Sequence, residues 1–284
     1  MPALDGLRIL DMTQYEAGTS CTQALAWLGA DVVKIERPGT GDPGRGLDLG
    51  LWEDSEYFVN WNSNKRSVTI ALEKPEGREL LLRMAPHYDV FVENYGPGVI
   101  EKLDLGYDVM KQANPGIIYA RIKGFGTSGP YSGYKSFDVV AQAASGAMST
   151  TGPNDGPPMR IGPTIGDVGT GMHMALAITA AYVQKLRTGT GQLIELSMQE
   201  AVTYFMRTTM AIGSKWGTRP AERRGNGNNP VVNLFPSKPF GPNDYVYIMC
   251  VTQKMFETLC GVIGRDDLRT DPRFVNHKTR RENA

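Results

Sequence analysis

The sequence predicts an α/β fold built on a parallel sheet, and three observations predict it. Short runs rich in Val, Ile and Leu alternate with segments of helical composition through the first two thirds of the chain. Glycine is abundant, 33 of 284 residues, against a typical ~7%, as a chain that turns tightly at many strand ends requires. Hydrophobic residues make up 41% and charged residues 21%, an ordinary globular composition that excludes a disordered chain.

The elements follow in order. Residues 7–12 (LRILDM) form the first strand candidate, and 20–28 (SCTQALAWL) a helix that Gly29 is placed to end. Residues 31–36 (DVVKIE) read as a second strand, and Pro38 with five glycines between 39 and 50 as a loop. Residues 67–72 are a third strand candidate. Pro75 suits the first position of the helix PEGRELLLRM. Residues 89–93 (DVFVE) are a strand, 94–98 (NYGPG) a turn, and 116–123 (GIIYARIK) a further strand. Helices are expected at 138–149 and 168–187, a strand at 192–198 and a helix at 200–212. Residues 213–230, rich in Gly, Arg and Asn, read as a linker or mobile loop. A strand at 246–251 and a helix at 255–263 then open a smaller second unit. The length itself, at roughly 150 residues per domain, gives about two domains. The expected division is 1–212, the linker 213–230, and an incomplete small domain over 231–284.

Charge and cysteine narrow the class. Thirty Lys and Arg balance thirty Asp and Glu, which argues against a nucleic-acid or membrane-surface binder. Cys21, Cys250 and Cys260 form no C-x-x-C pair, so neither a zinc site nor a disulfide framework is signalled. The N-terminus lacks the layout of a signal peptide. The longest apolar stretch, 172–183, falls short of the ~20 residues that span a bilayer. A cytoplasmic protein without bound metal is expected.

Two stretches, 39–44 (GTGDPG) and 124–129 (GFGTSG), match G-x-G-x-x-G. Pro43 and Pro130 argue against a helix opening there, so a dinucleotide fingerprint is not expected. Only His87, His173 and His277 exist, far apart in sequence. Asp167, between Gly166 and Val168 at the start of a long helix, has a common structural reading as an N-cap. Its glycine neighbours at 166, 169 and 171 also permit close approach of a ligand and leave N–H groups free for an anion. Gln14, Tyr15, Glu16 and Ala17 follow the first strand at the sheet edge where ligands bind in open α/β folds.

Several linked segments together resemble the class III CoA-transferase family, which includes formyl-CoA transferase, carnitine CoA-transferases and α-methylacyl-CoA racemase. They are LDGLRILDMTQYEAG, LGADVVKIERPGTGD, NKRSVTIAL, VENYGPG, KGFGTSGPYSGYKSFD, IGDVGTGMHMALAI and RTGTGQLIELSMQEA. The resemblance implies a Rossmann-like large domain, a small α+β domain, and two ring-like chains interlocked as a homodimer. It implies an acyl-CoA and a small carboxylic acid as substrates, with coenzyme A passing between them and no tightly bound cofactor. Asp167 matches the family's nucleophile. Arg37, Asn94, Tyr95, Lys102, Lys135 and Phe137 match positions that contact CoA, and Gln14–Ala17 join them. Glu16 stands where formyl-CoA transferase carries Gln, and a carboxylate there repels formate or oxalate. Phe137 stands where racemases of the family place a proton-exchanging His, which favours transfer over α-proton chemistry. Racemisation or isomerisation, and a truncated, inactive CoA-binding chain, stay open as alternatives.

Overall fold

The computed structural model describes residues 1–47, 55–227 and 229–283; the end of the expected 39–50 loop lies outside them. The elements of the first unit are β1 (Arg8–Met12), α1 (Ala17–Trp27), β2 (Asp31–Glu36), α2 (Glu56–Asn62), β3 (Arg66–Thr69), α3 (Pro75–Met84) and β4 (Val90–Glu93). They continue with α4 (Val99–Lys102), α5 (Tyr107–Ala113), β5 (Ile118–Lys123), α6 (Asp138–Ala144), α7 (Val168–Thr188), β6 (Leu193–Ser197) and α8 (Met198–Phe205).

The six strands form one sheet in the order β3-β2-β1-β4-β5-β6, and every neighbouring pair is parallel. The chain winds outward from β1 in one direction and then from β4 in the other. The order therefore reverses between β1 and β4, where the two following loops diverge and leave a crevice at the strands' C-terminal ends. Helices cover both faces, so the central strands bury apolar side chains on each face. Ile9, Val32, Val90 and Ile118 pack with Leu25 of α1 and Met174 and Ile178 of α7. On the other face Leu10, Val33, Phe91 and Tyr119 pack with Leu81 of α3 and Met110 of α5.

Local chemistry fixes several boundaries. Gly29, with φ of 105°, follows α1, and Gly189, with φ of 73°, closes α7 by donating its N–H to the Lys185 carbonyl at 2.7 Å. A Cβ on Gly171 would stand 2.1 Å from Ser20 Oγ and 2.6 Å from the Ala17 carbonyl, so this glycine is what lets α7 lie against α1. Helix α6 stops at Ala144 rather than near residue 149, because Gly146 takes a left-handed turn with φ of 85°. Helix α8 starts directly after β6, with the Ser197 hydroxyl accepting the Glu200 N–H at 3.0 Å, and ends at Phe205 rather than near 212.

A polar layer lies inside the sheet. Lys34 Nζ is 2.8 Å from Asp42 Oδ2, and Lys65 Nζ is 3.0 Å from Asp11 Oδ2, all four side chains being buried. Burial opposes ionisation of Asp11, but Lys65, Lys34 and the Thr13 and Thr22 hydroxyls outweigh it and hold its carboxyl down at about 2.

The chain divides into two compact units, Met1–Ala147 with Arg160–Thr208, and Met148–Met159 with Thr209–Ala284. Residues 148–159, which the sequence reading places within 1–212, thus pack with the second unit. There the Arg223 guanidinium donates to the carbonyls of Ser149, Pro153 and Gly156. The second unit pairs β7 (Val232–Pro236) antiparallel with β8 (Tyr245–Met249). It adds α9 (Gln253–Val262) and α10 (His277–Glu282) around a core of Val231, Cys250, Phe256 and Cys260. Among the described residues no helix is long and apolar enough to cross a membrane.

Candidate functional site

The loops leaving β1, β4 and β5 converge with the start of α7 around a cavity of about 350 Å3. Gln14, Tyr15, Glu16, Ala17, Asn94, Tyr95, Lys135, Phe137 and Asp167 all line it. Arg37 lines a second groove of about 380 Å3, which shares Gln14 and Tyr95 with the first. Lys102, exposed at the end of α4, lines neither.

The β1 loop is pinned on several sides. The Gln14 N–H donates to Asn94 Oδ1 at 2.8 Å, and Asn94 Nδ2 donates back to the Gln14 carbonyl at 2.9 Å. The Gln14 side-chain amide donates to the Tyr95 hydroxyl at 3.0 Å. Tyr15 sits at φ of 59°, a conformation that a side chain adopts only when its surroundings enforce it. Here Asp42 Oδ1 accepts the Tyr15 N–H at 3.1 Å, and the ring meets Phe137 edge-on with centroids 6.0 Å apart.

Asp167 does not act as a helix cap: its side chain makes no bond to the amides of α7. It has helical φ and ψ of −84° and −68°. The Val168 N–H already bonds the Thr164 carbonyl at 2.8 Å, so the chain is coiled before α7 formally begins. The loose amides of this turn are taken by another carboxylate. Asp138 Oδ1 accepts the Gly166 N–H at 2.7 Å and the Asp167 N–H at 3.3 Å, while Oδ2 accepts from Gln142 Nε2 at 2.8 Å. Gly166 is required at this contact, because a Cβ there would stand 2.6 Å from the Asp138 carbonyl.

Two carboxyl groups, Glu16 and Asp167, therefore line the cavity, and the charge of a third, Asp138, acts on both. Burial, reinforced by the charges of Glu16 and Asp138, pushes the Asp167 carboxyl up to about 7. Burial raises Glu16 as well; a hydrogen bond from the Thr164 hydroxyl opposes the rise, the Asp138 charge adds to it, and the Tyr57 hydroxyl, 3.4 Å away, opposes it. A carboxyl poised near neutrality can ionise and attack at an electrophilic carbon, or accept a proton.

Sequence reasoning passed over Tyr57, Asp138, Thr164, Glu93 and Lys123. Three of them sat inside quoted segments: Glu93 is in VENYGPG, Lys123 opens KGFGTSGPYSGYKSFD and Asp138 closes it. Neither glycine motif opens an α-helix. Residues 39–44 run into a short 3-10 turn at Pro43–Gly46, and 124–129 into turns. None of the three histidines lines the cavity; His173 instead bonds the Gly169 carbonyl and packs on Tyr204 and Phe205. Among the described residues no cluster of His, Cys, Asp or Glu is arranged to hold a metal ion.

Comparison with known proteins shows the family and the fold. The model of CoA-transferase family III matches residues 4–284. A formyl-CoA:oxalate CoA-transferase of Streptomyces coelicolor is 42% identical over 293 residues, covering 98% of this chain and 71% of that protein. One from Rhodopseudomonas palustris is 40% identical, covering 98% and 70%. Among solved structures, a CAIB/BAIF family protein from Brucella suis superimposes with a TM-score of 0.86 at 31% identity, covering 99% of this chain and 75% of that one. A hypothetical protein from Mycobacterium tuberculosis does so at 0.86 and 30%, covering 100% and 74%.

Proposed function

Because the chain belongs to CoA-transferase family III, we propose that it moves CoA from an acyl-CoA to a carboxylic acid through covalent intermediates on Asp167. The observation that carries this reading is the Asp167 carboxyl itself, on the cavity wall, unbonded to its own helix and held near neutrality.

The steps balance without an added reagent. An Asp167 oxygen attacks the acyl carbon of the thioester, the C–S bond breaks, and CoA thiolate leaves a mixed anhydride. Thiolate is a good leaving group, since thiols ionise near pH 8.5. It then attacks the Asp167 carboxyl carbon, expels the donor acid as a carboxylate, and forms an aspartyl-CoA thioester. The acceptor carboxylate attacks that thioester and expels thiolate again. Thiolate takes the acceptor's acyl group and restores Asp167. The Gly166 and Asp167 N–H groups are bonded to Asp138, so stabilisation of each oxyanion falls to other donors of the cavity wall. Exclusion of water protects the anhydride from hydrolysis.

In this reading Gln14, Tyr15, Glu16, Ala17, Asn94, Tyr95, Lys135 and Phe137 contact the pantetheine end of CoA. Arg37, on the adjoining groove, meets its phosphates. Lys102, away from both cavities, contributes a surface charge at most. The chain acts as a homodimer in the cytoplasm, which size-exclusion mass and fractionation test. The decisive variant is Asp167→Ala: exchange is abolished while CoA still binds, and retained turnover ends the proposal.

A second reading, racemisation or isomerisation of an acyl-CoA, draws on Glu16 as a second carboxyl beside Asp167. Phe137 offers no exchangeable proton, which counts against it. Solvent deuterium entering the α-carbon without CoA exchange selects it.

A further inference from the structure

Lys123 ends β5 in the wall of the cavity that Asp167 lines, and it is only 7% exposed. A lysine is held inside a protein only where its charge is met. Lys123 Nζ donates to Glu93 Oε2 at 2.9 Å and to the Tyr95 carbonyl at 2.6 Å. The same Glu93 oxygen accepts the Tyr95 N–H at 2.9 Å. One ion pair therefore satisfies both backbone groups of Tyr95, just past the point where β4 leaves the sheet. The Tyr95 side chain stands where the two cavities meet, and its hydroxyl accepts from Gln14.

We propose that Lys123 is a positioning residue that fixes Tyr95 at the boundary of the two cavities. It thereby sets the path along which CoA extends from the Arg37 groove to Asp167. The inference rests on the CoA-transfer reading and assigns Lys123 to binding rather than to chemistry. Replacing Lys123 strips the Tyr95 carbonyl of its donor and lets the loop after β4 shift into the path. Glu93 keeps a cationic partner in that case, because Arg121 Nε lies 3.2 Å from its other oxygen. The variant accordingly retains a paired carboxylate and the means to fold.

Calorimetric titration with CoA alone, beside single-turnover labelling of Asp167 by acetyl-, propionyl- and succinyl-CoA, tests this in wild type, Lys123→Met and Lys123→Arg. Lys123→Met is expected to bind CoA about tenfold more weakly or worse, the range in which one lost interaction separates ligands, with wild-type labelling at saturating acyl-CoA. Lys123→Arg, which keeps charge and donors, recovers most of the affinity. Unchanged CoA affinity in folded Lys123→Met overturns the inference. So does a parallel fall in affinity and saturated labelling rate, which marks general structural damage. Wild-type protein that binds CoA but never labels at Asp167 removes the transfer reading and leaves this inference to the CoA titration. Wild-type protein that binds no CoA overturns both.

Discussion

The Asp138 carboxylate accepts the backbone N–H of Asp167 at 3.3 Å and that of Gly166 at 2.7 Å, so one acid holds the turn that presents another. The same contact brings negative charge toward Asp167 and contributes to its raised pKa. Asp138→Ala removes both effects. Misplacement of a reacting group by about 1 Å costs on the order of 10²-fold, and a loss of that size in the rate of Asp167 acylation is expected. The midpoint of the pH–rate profile moves down with it. Asp138→Asn keeps an acceptor oxygen, so it retains most of the rate while showing the same downward midpoint. Single-turnover kinetics across pH separate the two variants.

The acylation step requires ionised Asp167, whose carboxyl lies at about 7. The rate of acylation by acyl-CoA therefore rises with pH through about 7 and levels off above it. Rapid-quench measurement between pH 5 and 9 checks this. A profile flat across that range places the nucleophile elsewhere.

Stability carries the opposite sign. Folding raises the Asp167 pKa from 3.8 to about 7, so the folded state binds this proton more tightly than the unfolded chain. The group's contribution is most favourable below pH 4 and is lost as pH rises through 7. Asp167→Asn, which carries no charge, is expected to melt above the wild type at pH 8. The difference closes near pH 4. Thermal melts of the two proteins at both pH values check it.

The packing of α7 on α1 depends on a missing side chain. Gly171→Ala places a methyl group 2.1 Å from Ser20 Oγ and 2.6 Å from the Ala17 carbonyl. Overpacking of this kind costs about 1–3 kcal/mol. Urea denaturation should show that loss with an unchanged slope.

Much of the first unit was legible because local pattern and tertiary role coincide. The segment DVVKIE forms β2 over the expected residues, Pro75 opens α3, and glycines follow α1 and α7. Helices α2, α4 and α5 are seven, four and seven residues long, too short for helical periodicity to stand out. Lys34 looks like a polar interruption of its strand until Asp42 folds back onto it. The site was legible in its individual residues rather than in its geometry. Asp138 and Asp167 are 29 positions apart, and Thr164 and Glu16 are 148 apart. The sheet's winding brings Glu16 and Thr164 together, and the strandless segment between α6 and α7 returns Asp167 to Asp138. The preference of Asp for N-caps pointed to a capping carboxylate at Asp167. The helical turn already formed from Thr164 left that carboxylate free, and Asp138 took the amides instead.

The most direct measurement is mass spectrometry of the protein incubated with acetyl-, propionyl- or succinyl-CoA and trapped with hydroxylamine. A hydroxamate is expected on the peptide containing Asp167, dependent on acyl-CoA and lost in Asp167→Ala. Turnover of CoA between acids with that peptide unmodified, or with the label on another acidic residue such as Glu16, contradicts it.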